Sequence, residues 1–177
     1  MERRNFVRNI GAGALFLGLG GVSYAFDRDK NKDKIKKYKK HITILHTNDT
    51  HSHIDPMPSD DPHYPDKGGV ARRAVLVEQV RRENPNTLLF DAGDIFQGTP
   101  YFNYYGGELE FRLMSMLKYD AATFGNHDFD NGIEGLLFQM PHAKFDFISS
   151  NYDFTNTVLE GKTKPYKVFE VDEVRIG

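Results

Sequence analysis

Three short polar segments of this chain combine Asp, Asn and His, and each closely follows an apolar run. The segments are Asp49-Thr50-His51, Gly93-Asp94 and Gly125-Asn126-His127-Asp128-Phe129-Asp130. The preceding apolar runs, at residues 42–46, 87–90 and 121–124, have the length and composition of buried β-strands. Strand ends that bring carboxylate, amide and imidazole groups to one edge of a sheet are typical of a metal-centred hydrolase.

The first segment offers a carboxylate and an imidazole two residues apart. In an extended chain, residues i and i+2 point the same way, so Asp49 and His51 can reach one cation. The segment alone fits a structural interpretation equally well, in which Asp49 caps a turn and His51 is a surface residue. The run His51-Ser52-His53 also suits the H-x-H motif of metal-dependent amidohydrolase barrels.

The second segment places a flexible residue before a carboxylate. Gly93 lets the backbone turn sharply and leaves space beside Asp94. The two oxygens of a carboxylate can bridge two cations, as in two-metal phosphoesterases. Taken alone, however, Gly-Asp is also common in ordinary turns.

The third segment is the most specific of the three. The Asn126 amide oxygen can ligate a metal, and His127 can face a phosphoryl group without being a ligand. Asp130 follows three residues later and can hold the His127 ring in one tautomer, favouring its protonated form. The alternative is a plain turn after a strand.

The surrounding pattern predicts an α/β fold with a mainly parallel sheet, because strands alternate with helices. Helices are predicted at 70–83, 108–117 and 133–139, and a fourth strand at 145–149. A hairpin is predicted from 166–171 and 174–176. Its second strand has barely begun at Gly177, so the pattern predicts a truncated domain.

The N-terminus is predicted to be a targeting segment. Arg3-Arg4, the apolar stretch 10–22 and the small residues Ser23 and Ala25, at the two positions a signal peptidase reads, resemble a twin-arginine export signal. We therefore expect a signal peptide at 1–25, a charged linker at 26–40 and a partial catalytic domain at 41–177. A retained anchor is the alternative, but 10–22 falls short of the roughly 20 apolar residues that span a bilayer. The expected location is the periplasm or cell surface, with only transient membrane contact through the signal.

Composition limits the chemistry further. Apolar residues make up 39% of the 177 residues, the formal net charge is −2, and cysteine is absent. The absence of cysteine excludes disulfides, Cys-ligated zinc and a thiol nucleophile. The small charge gives no reason to expect nucleic-acid binding. Any metal site must use oxygen and imidazole ligands, which suit Zn, Mn, Fe, Co or Mg. Neither composition nor motifs predict an oligomeric state.

In their order along the chain, the three segments resemble the signature of the calcineurin-like metallophosphatase superfamily. The amidohydrolase alternative accounts for neither the second segment nor the third. Within the superfamily the chain is similar to the 5′-nucleotidase family, and the resemblance covers about residues 42–177. The matching stretches are 44–53, 68–73, 91–100 and 125–132.

The resemblance implies a four-layer α/β/β/α metallophosphatase sandwich, of which this chain is the N-terminal portion. By similarity, Asp49, His51 and Asp94 bind one divalent ion, while Asp94 and Asn126 bind a second. His127 then stabilises the transition state and protonates the leaving group, supported by Asp130. The implied reaction converts nucleoside monophosphates to nucleoside and phosphate, by attack of a water activated by the two ions.

The chain lacks counterparts of features that the resemblance leads one to expect. Later family histidines, two of them in a G-H-x-H motif, and the nucleoside-binding C-terminal domain have no match here. We therefore expect this piece alone to bind metal weakly and to turn over little or no substrate. Two alternatives are a 2′,3′-cyclic-nucleotide phosphodiesterase/3′-nucleotidase relative and an inactive metal-binding or partner-binding fragment. For the aromatic cluster near the second segment, packing is expected rather than base stacking; its members are Phe96, Tyr101, Phe102, Tyr104 and Tyr105.

Overall fold

A computed structural model describes residues 39–177 of the chain. The predicted export signal and nearly all of the predicted charged linker lie outside these described residues, and both stay predictions. Within the described range, no helix is both long enough and apolar enough to cross a bilayer.

Four parallel strands form the central sheet, in the order β1-β2-β3-β4 along it. The strands are β1 Thr43–Thr47, β2 Thr87–Asp91, β3 Ala121–Ala122 and β4 Asp146–Phe147. Thr47 is in register with Asp91, and Asp91 with Ala122, so the carboxyl ends of β1, β2 and β3 are neighbours at one edge. The parallel α/β prediction is confirmed, and the three polar segments leave the sheet side by side.

Four helices and one antiparallel hairpin complete the described part. The helices are α1 Val70–Glu83, α2 Pro100–Tyr105, α3 Glu108–Met116 and α4 Gly132–Gln139. The hairpin pairs β5 Phe169–Val171 with β6 Val174–Ile176. Single 3-10 turns occur at His127–Phe129 and Met140–His142. The bounds of α1 match the prediction, and those of α3 and α4 lie within one residue of it.

Sequence reasoning missed α2 and made three strands too long, namely β3, β4 and β5. Helix α2 has a proline at its first turn and a left-handed Gly106 at its end, which are ordinary helix boundaries. Its body is rich in aromatic residues, which are weak helix formers, and this concealed it. The predicted strand 121–124 ends at Ala122 because the chain turns there into the third polar segment. After β4, Ile148 forms only an isolated bridge with Lys164.

The core lies between the sheet and the helices and is largely aromatic. Phe111 packs against Phe96 with ring centroids 4.8 Å apart, and Phe124 stacks on Phe147 at 4.9 Å. Phe96 and Phe102 belong to this core, as expected for the aromatic cluster. Tyr104 and Tyr105 of the same cluster are instead exposed. The core thus fixes the body of the loop 92–99 that carries the second polar segment.

Candidate metal centre

The loops that follow β1 and β2 are joined to each other along their backbones. Four hydrogen bonds of 2.8–3.1 Å continue the strand pairing past the sheet edge. They run from Ala92 N–H to the Thr47 carbonyl, from Asp49 to Gly93, from His51 to Asp94 and from Ser52 to Ile95. The first and second polar segments therefore face each other at fixed register.

The backbone at these loops is unusual. Asp49, His51, Ser52 and Asp94 all have positive φ, with values of 50°, 44°, 53° and 54°. Such angles are uncommon for non-glycine residues, cost about 1 kcal/mol or more each, and cluster at functional sites. The predicted convergence of Asp49 and His51 occurs, but the predicted reason was wrong. Left-handed turns bring the two side chains together, not the alternation of an extended strand.

Three of the four residues predicted to bind metal lie together. The ligand atoms of Asp49, His51 and Asp94 are all within 4.8 Å of one another. His51 Nε2 is 3.8 Å from Asp49 Oδ1 and 3.8 Å from Asp94 Oδ2. The Asp94 side chain is only 15% exposed and that of Asp49 58%, so the group opens to solvent on the Asp49 side. Two carboxylates and an imidazole at this spacing fit a divalent cation.

His51 is held in the orientation that a metal ligand needs. Its Nδ1 lies 3.3 Å from the Phe96 carbonyl, so Nδ1 carries the proton and donates to that oxygen. The lone pair of Nε2 is then directed toward the two carboxylates. A backbone carbonyl that fixes the tautomer of a ligating histidine is a common feature of metal sites.

Asp94 connects the second polar segment to the third. Its Oδ1 accepts a hydrogen bond from the His127 N–H at 2.9 Å, while Oδ2 faces His51. The carboxylate thus lies between the two segments, where a shared ligand has to be. Asn126 is exposed immediately before this contact, and its role as a ligand remains a proposal.

His127 and Asp130 form the predicted pair. His127 Nδ1 lies 3.0 Å from Asp130 Oδ2, which also accepts a hydrogen bond from Gln97 Nε2 at 3.1 Å. The bond to Asp130 raises the pKa of His127, and the same bond lowers the pKa of Asp130. The rings of His127 and His51 meet edge to face with centroids 5.2 Å apart. The His127 imidazole, which favours its protonated form, therefore lies beside the three candidate metal ligands.

Asp128 is the residue whose importance sequence reasoning missed. It is 2% exposed, and its carboxylate accepts hydrogen bonds from four backbone N–H groups. The donors are Asp94 and Gly125 to Oδ2, and Ile95 and Phe96 to Oδ1, at 2.8–3.0 Å. Burial raises the pKa of Asp128 to about 6, and the four N–H bonds oppose that rise. The ionised carboxylate thus ties the loop of Asp94 to the third segment. The available signal was its place three residues after Gly125, the spacing of a local side-chain-to-backbone bond.

Two glycines allow the loops to touch. A Cβ on Gly125 would lie 2.0 Å from Asp94 Oδ1, and one on Gly93 would lie 2.3 Å from the Gly125 nitrogen. Gly93 also has φ +99°, which L side chains rarely adopt. A larger residue at Gly125 would displace the Asp94 carboxylate, and one at Gly93 would displace the backbone of Gly125.

A second buried carboxylate, that of Asp91, stabilises the turn at Gly93. Asp91 Oδ1 accepts the Gly93 N–H at 2.8 Å, and Oδ2 accepts the Thr47 hydroxyl at 2.5 Å. The Thr47 hydroxyl is also 2.8 Å from the Tyr119 hydroxyl. Burial raises the pKa of Asp91 to about 6. The ends of β1 and β2 are therefore cross-linked by side chains as well as by backbone.

Comparisons with known proteins agree with this geometry. The family model for calcineurin-like phosphoesterases matches residues 42–175. The chain is 42% identical over 144 residues to 5′-nucleotidase of Homo sapiens, covering 77% of this chain and 25% of that protein. It is 41% identical over 143 residues to the snake venom 5′-nucleotidase of Naja atra, covering 77% and 27%.

A solved structure shows the same relationship. The crystal structure of the 5′-nucleotidase precursor from Thermus thermophilus matches with a TM-score of 0.69 at 40% identity, covering 76% of this chain and 27% of that one. The chain therefore spans about a quarter of the length of these relatives. The predicted resemblance and fold class are confirmed, which overturns the amidohydrolase alternative. The chain belongs to the calcineurin-like phosphoesterase family.

Proposed function

We propose that this chain supplies the first metal-binding segments of a two-metal phosphohydrolase that acts on nucleoside 5′-monophosphates. The observation that carries the proposal is the convergence of Asp49, His51 and Asp94 within 4.8 Å, in a chain whose relatives are 5′-nucleotidases. Oxygen and imidazole donors suit Zn, Mn, Fe, Co or Mg. The reaction yields a nucleoside and inorganic phosphate.

The proposed metal ligands form two sets, which share the carboxylate of Asp94. Asp49, His51 and Asp94 would hold the first ion, and Asp94 and Asn126 the second. The support for sharing is the place of Asp94 between His51 and the backbone of His127. When bound by these residues, two divalent ions would supply Lewis-acid activation of the phosphate ester and of a water nucleophile.

His127 acts on the substrate rather than on the metal in this proposal. Its Nδ1 is engaged by Asp130, which leaves Nε2 to donate a proton to the phosphoryl oxygens and to the leaving group. The raised pKa of His127 keeps the ring protonated closer to neutral pH. Asp130 positions the ring and stabilises its charge, and Gln97 holds Asp130 in turn.

Metal binding tests the first half of the proposal. Co²⁺ titrated into the chain is expected to develop the visible absorption of a cation bound by oxygen and nitrogen ligands. Asp94→Asn, which keeps an oxygen but removes the charge, is expected to weaken Co²⁺ binding by at least about tenfold. Asp153→Asn, an exposed aspartate, serves as the matched control and should bind Co²⁺ like the parent. A parent protein that binds no Co²⁺ contradicts the proposal.

Hydrolysis tests the second half. In a chimera, residues 42–175 replace the corresponding segment of the Thermus thermophilus 5′-nucleotidase, and phosphate release is measured with Mn²⁺ or Co²⁺. We expect phosphate release from adenosine 5′-monophosphate, because residues 42–175 would then complete a working metal centre beside the substrate-binding part of the Thermus thermophilus protein. A folded, metal-loaded chimera that releases no phosphate would favour the inactive metal-binding alternative.

Removal of the His127 partner should slow chemistry more than binding. In the same chimera, Asp130→Asn is expected to lower kcat by about tenfold or more and to change KM little, because general acid catalysis contributes about 100-fold or more. The loss follows from the lower pKa that His127 would have without the Asp130 carboxylate. Steady-state kinetics beside the Asp153→Asn control measure it. An unchanged kcat would remove Asp130 from the mechanism.

Export remains part of the proposal. The twin-arginine segment at residues 3–8 supports it, as does the precursor form in which the Thermus thermophilus relative is described. N-terminal sequencing of the protein from a cell envelope fraction is expected to show a chain that begins near residue 26. A mature chain that still begins at Met1 contradicts a cleaved signal.

A further inference from the structure

A small cavity lined by both polar and apolar side chains lies beside the loop that carries His51. Its volume is about 20 Å³, and its wall includes Ser52, Arg73 and Glu110. A space of this size holds one water molecule, which needs roughly 10–15 Å³. The cavity is therefore large enough for a single small guest.

Three oxygens buried at the cavity wall have no partner within residues 39–177. They are Ser52 Oγ and both carboxylate oxygens of Glu110. Ser52 is 1% exposed and Glu110 3%, so bulk solvent does not satisfy them. Buried polar atoms in native proteins are almost always hydrogen-bonded, to protein or to an ordered water. Three unpartnered oxygens around one cavity point to a guest that donates hydrogen bonds.

The charge of the wall selects between two possible guests. A cation would satisfy the Glu110 carboxylate, but Arg73 already brings a positive charge to the same cavity. The guanidinium makes no hydrogen bond to Glu110, because both carboxylate oxygens lack a partner. A water molecule in the cavity can donate to the Glu110 oxygens without adding charge, and buried polar groups beside such a cavity are commonly satisfied by water.

We infer that one buried water occupies this cavity and that Glu110 acts through it as a positioning residue for the candidate metal centre. The water donates to the Glu110 carboxylate and accepts from the Ser52 hydroxyl. Ser52 directly follows His51, and its backbone is held by Ile95 and Thr99. Helix α3, which carries Glu110, is thereby fastened to the loop that orients His51.

This positioning role rests on the metal centre of the proposed function, whereas the water itself does not. A crystal structure of the chain at high resolution tests the water without any substitution. We expect one density peak within about 2.7–3.2 Å of a Glu110 oxygen, the usual hydrogen-bond range. An empty cavity overturns the inference. So does an anomalous peak at the same place after a rubidium soak, which would show a cation site instead.

Co²⁺ affinity tests the positioning. Glu110→Leu removes the acceptors and is expected to weaken Co²⁺ binding by about tenfold, the lower end of the usual effect of outer-shell partners. Glu110→Gln keeps an acceptor and a similar shape and should stay within about threefold of the parent. The matched control is Glu108→Gln, a half-buried glutamate on the same helix that pairs with Arg112, and this variant should bind Co²⁺ like the parent. Equal losses in the two Glu110 variants, or no loss in Glu110→Leu, overturn the positioning role.

A second variant keeps the test open if Glu110→Leu does not fold. Ser52→Ala removes one partner of the water with little change in volume, and we expect it to weaken Co²⁺ binding by about threefold. Circular dichroism establishes folding for each variant before titration. A Ser52→Ala protein with parent affinity overturns the link between the water and the His51 loop. If the parent itself binds no Co²⁺, the proposed function fails, while the crystallographic test of the water still stands.

Discussion

Replacing Asp128 by Asn is expected to lower the free energy of unfolding by about 2–5 kcal/mol, at about 1–3 kcal/mol for each buried group left without a partner. The remaining carbonyl oxygen can still accept from Ile95 and Phe96. The new amide group would instead face the N–H groups of Asp94 and Gly125, so donors would meet donors. Removal of a buried charge offsets part of the loss, because burial disfavours the ionised form of Asp128.

Urea unfolding at about pH 7 measures this change, and Co²⁺ titration of the folded fraction should show weaker binding by about a hundredfold, the upper end for outer-shell partners. The matched control is Asp130→Asn two residues away. Asp130 is exposed, and within the described range its carboxylate hydrogen-bonds only to the side chains of Gln97 and His127, so we expect a change below about 1 kcal/mol. If the Asp128→Asn and Asp130→Asn proteins were equally stable, the four N–H bonds would not hold the loops.

Gly125→Ala is the second large expected effect. The added Cβ would lie 2.0 Å from Asp94 Oδ1 and 2.5 Å from the Asp94 nitrogen, where no carbon fits. The Asp94 carboxylate must then move away from His51. We expect Co²⁺ affinity to fall by about a hundredfold or more, with a stability loss of about 2–4 kcal/mol.

A glycine in open space separates this clash from the general cost of losing a glycine. Gly161 has φ +71° and nothing within 4 Å of an added Cβ, so Gly161→Ala should cost only about 1–2 kcal/mol of stability. Its Co²⁺ affinity should equal that of the parent. Parent-like Co²⁺ binding by the Gly125→Ala protein would show that Asp94 can relocate without loss, contrary to the close contact seen here.

The sequence predicted those parts of the fold that repeat a local rule. Helix α1 was predictable because Val70, Ala74 and Val77 recur at helical spacing between a glycine pair and Asn84-Pro85. The three polar segments were predictable as neighbours because parallel strands end at the same edge of a sheet. Helix α2 was not, since its aromatic residues obscure sound boundary signals at Pro100 and Gly106.

The parts of the site that escaped prediction depend on contacts between distant segments. In the sequence, Asp128 is one of several acidic residues in its segment. Only the fold shows that three of the four backbone N–H groups that donate to its carboxylate lie in another loop. Glu110 lies in the first turn of a helix, where an acidic side chain is usually exposed to solvent, but here it is buried. The left-handed φ of Asp49 and His51 arises from pairing with the neighbouring loop, which no local pattern encodes.

The backbone pairing of the two loops also bears on when the centre forms and what holds it together. Backbone hydrogen bonds between the two loops bring Asp49, His51 and Asp94 together. The conformational entropy of these residues is therefore lost during folding, before any ion binds. Zinc fingers behave in the opposite way, because their ligands come together only with the metal. A chelator should therefore strip ions from this chain reversibly and leave it folded. Since the donors meet only after distant strands have paired, the centre is also a late product of folding, and ion capture would report its completion.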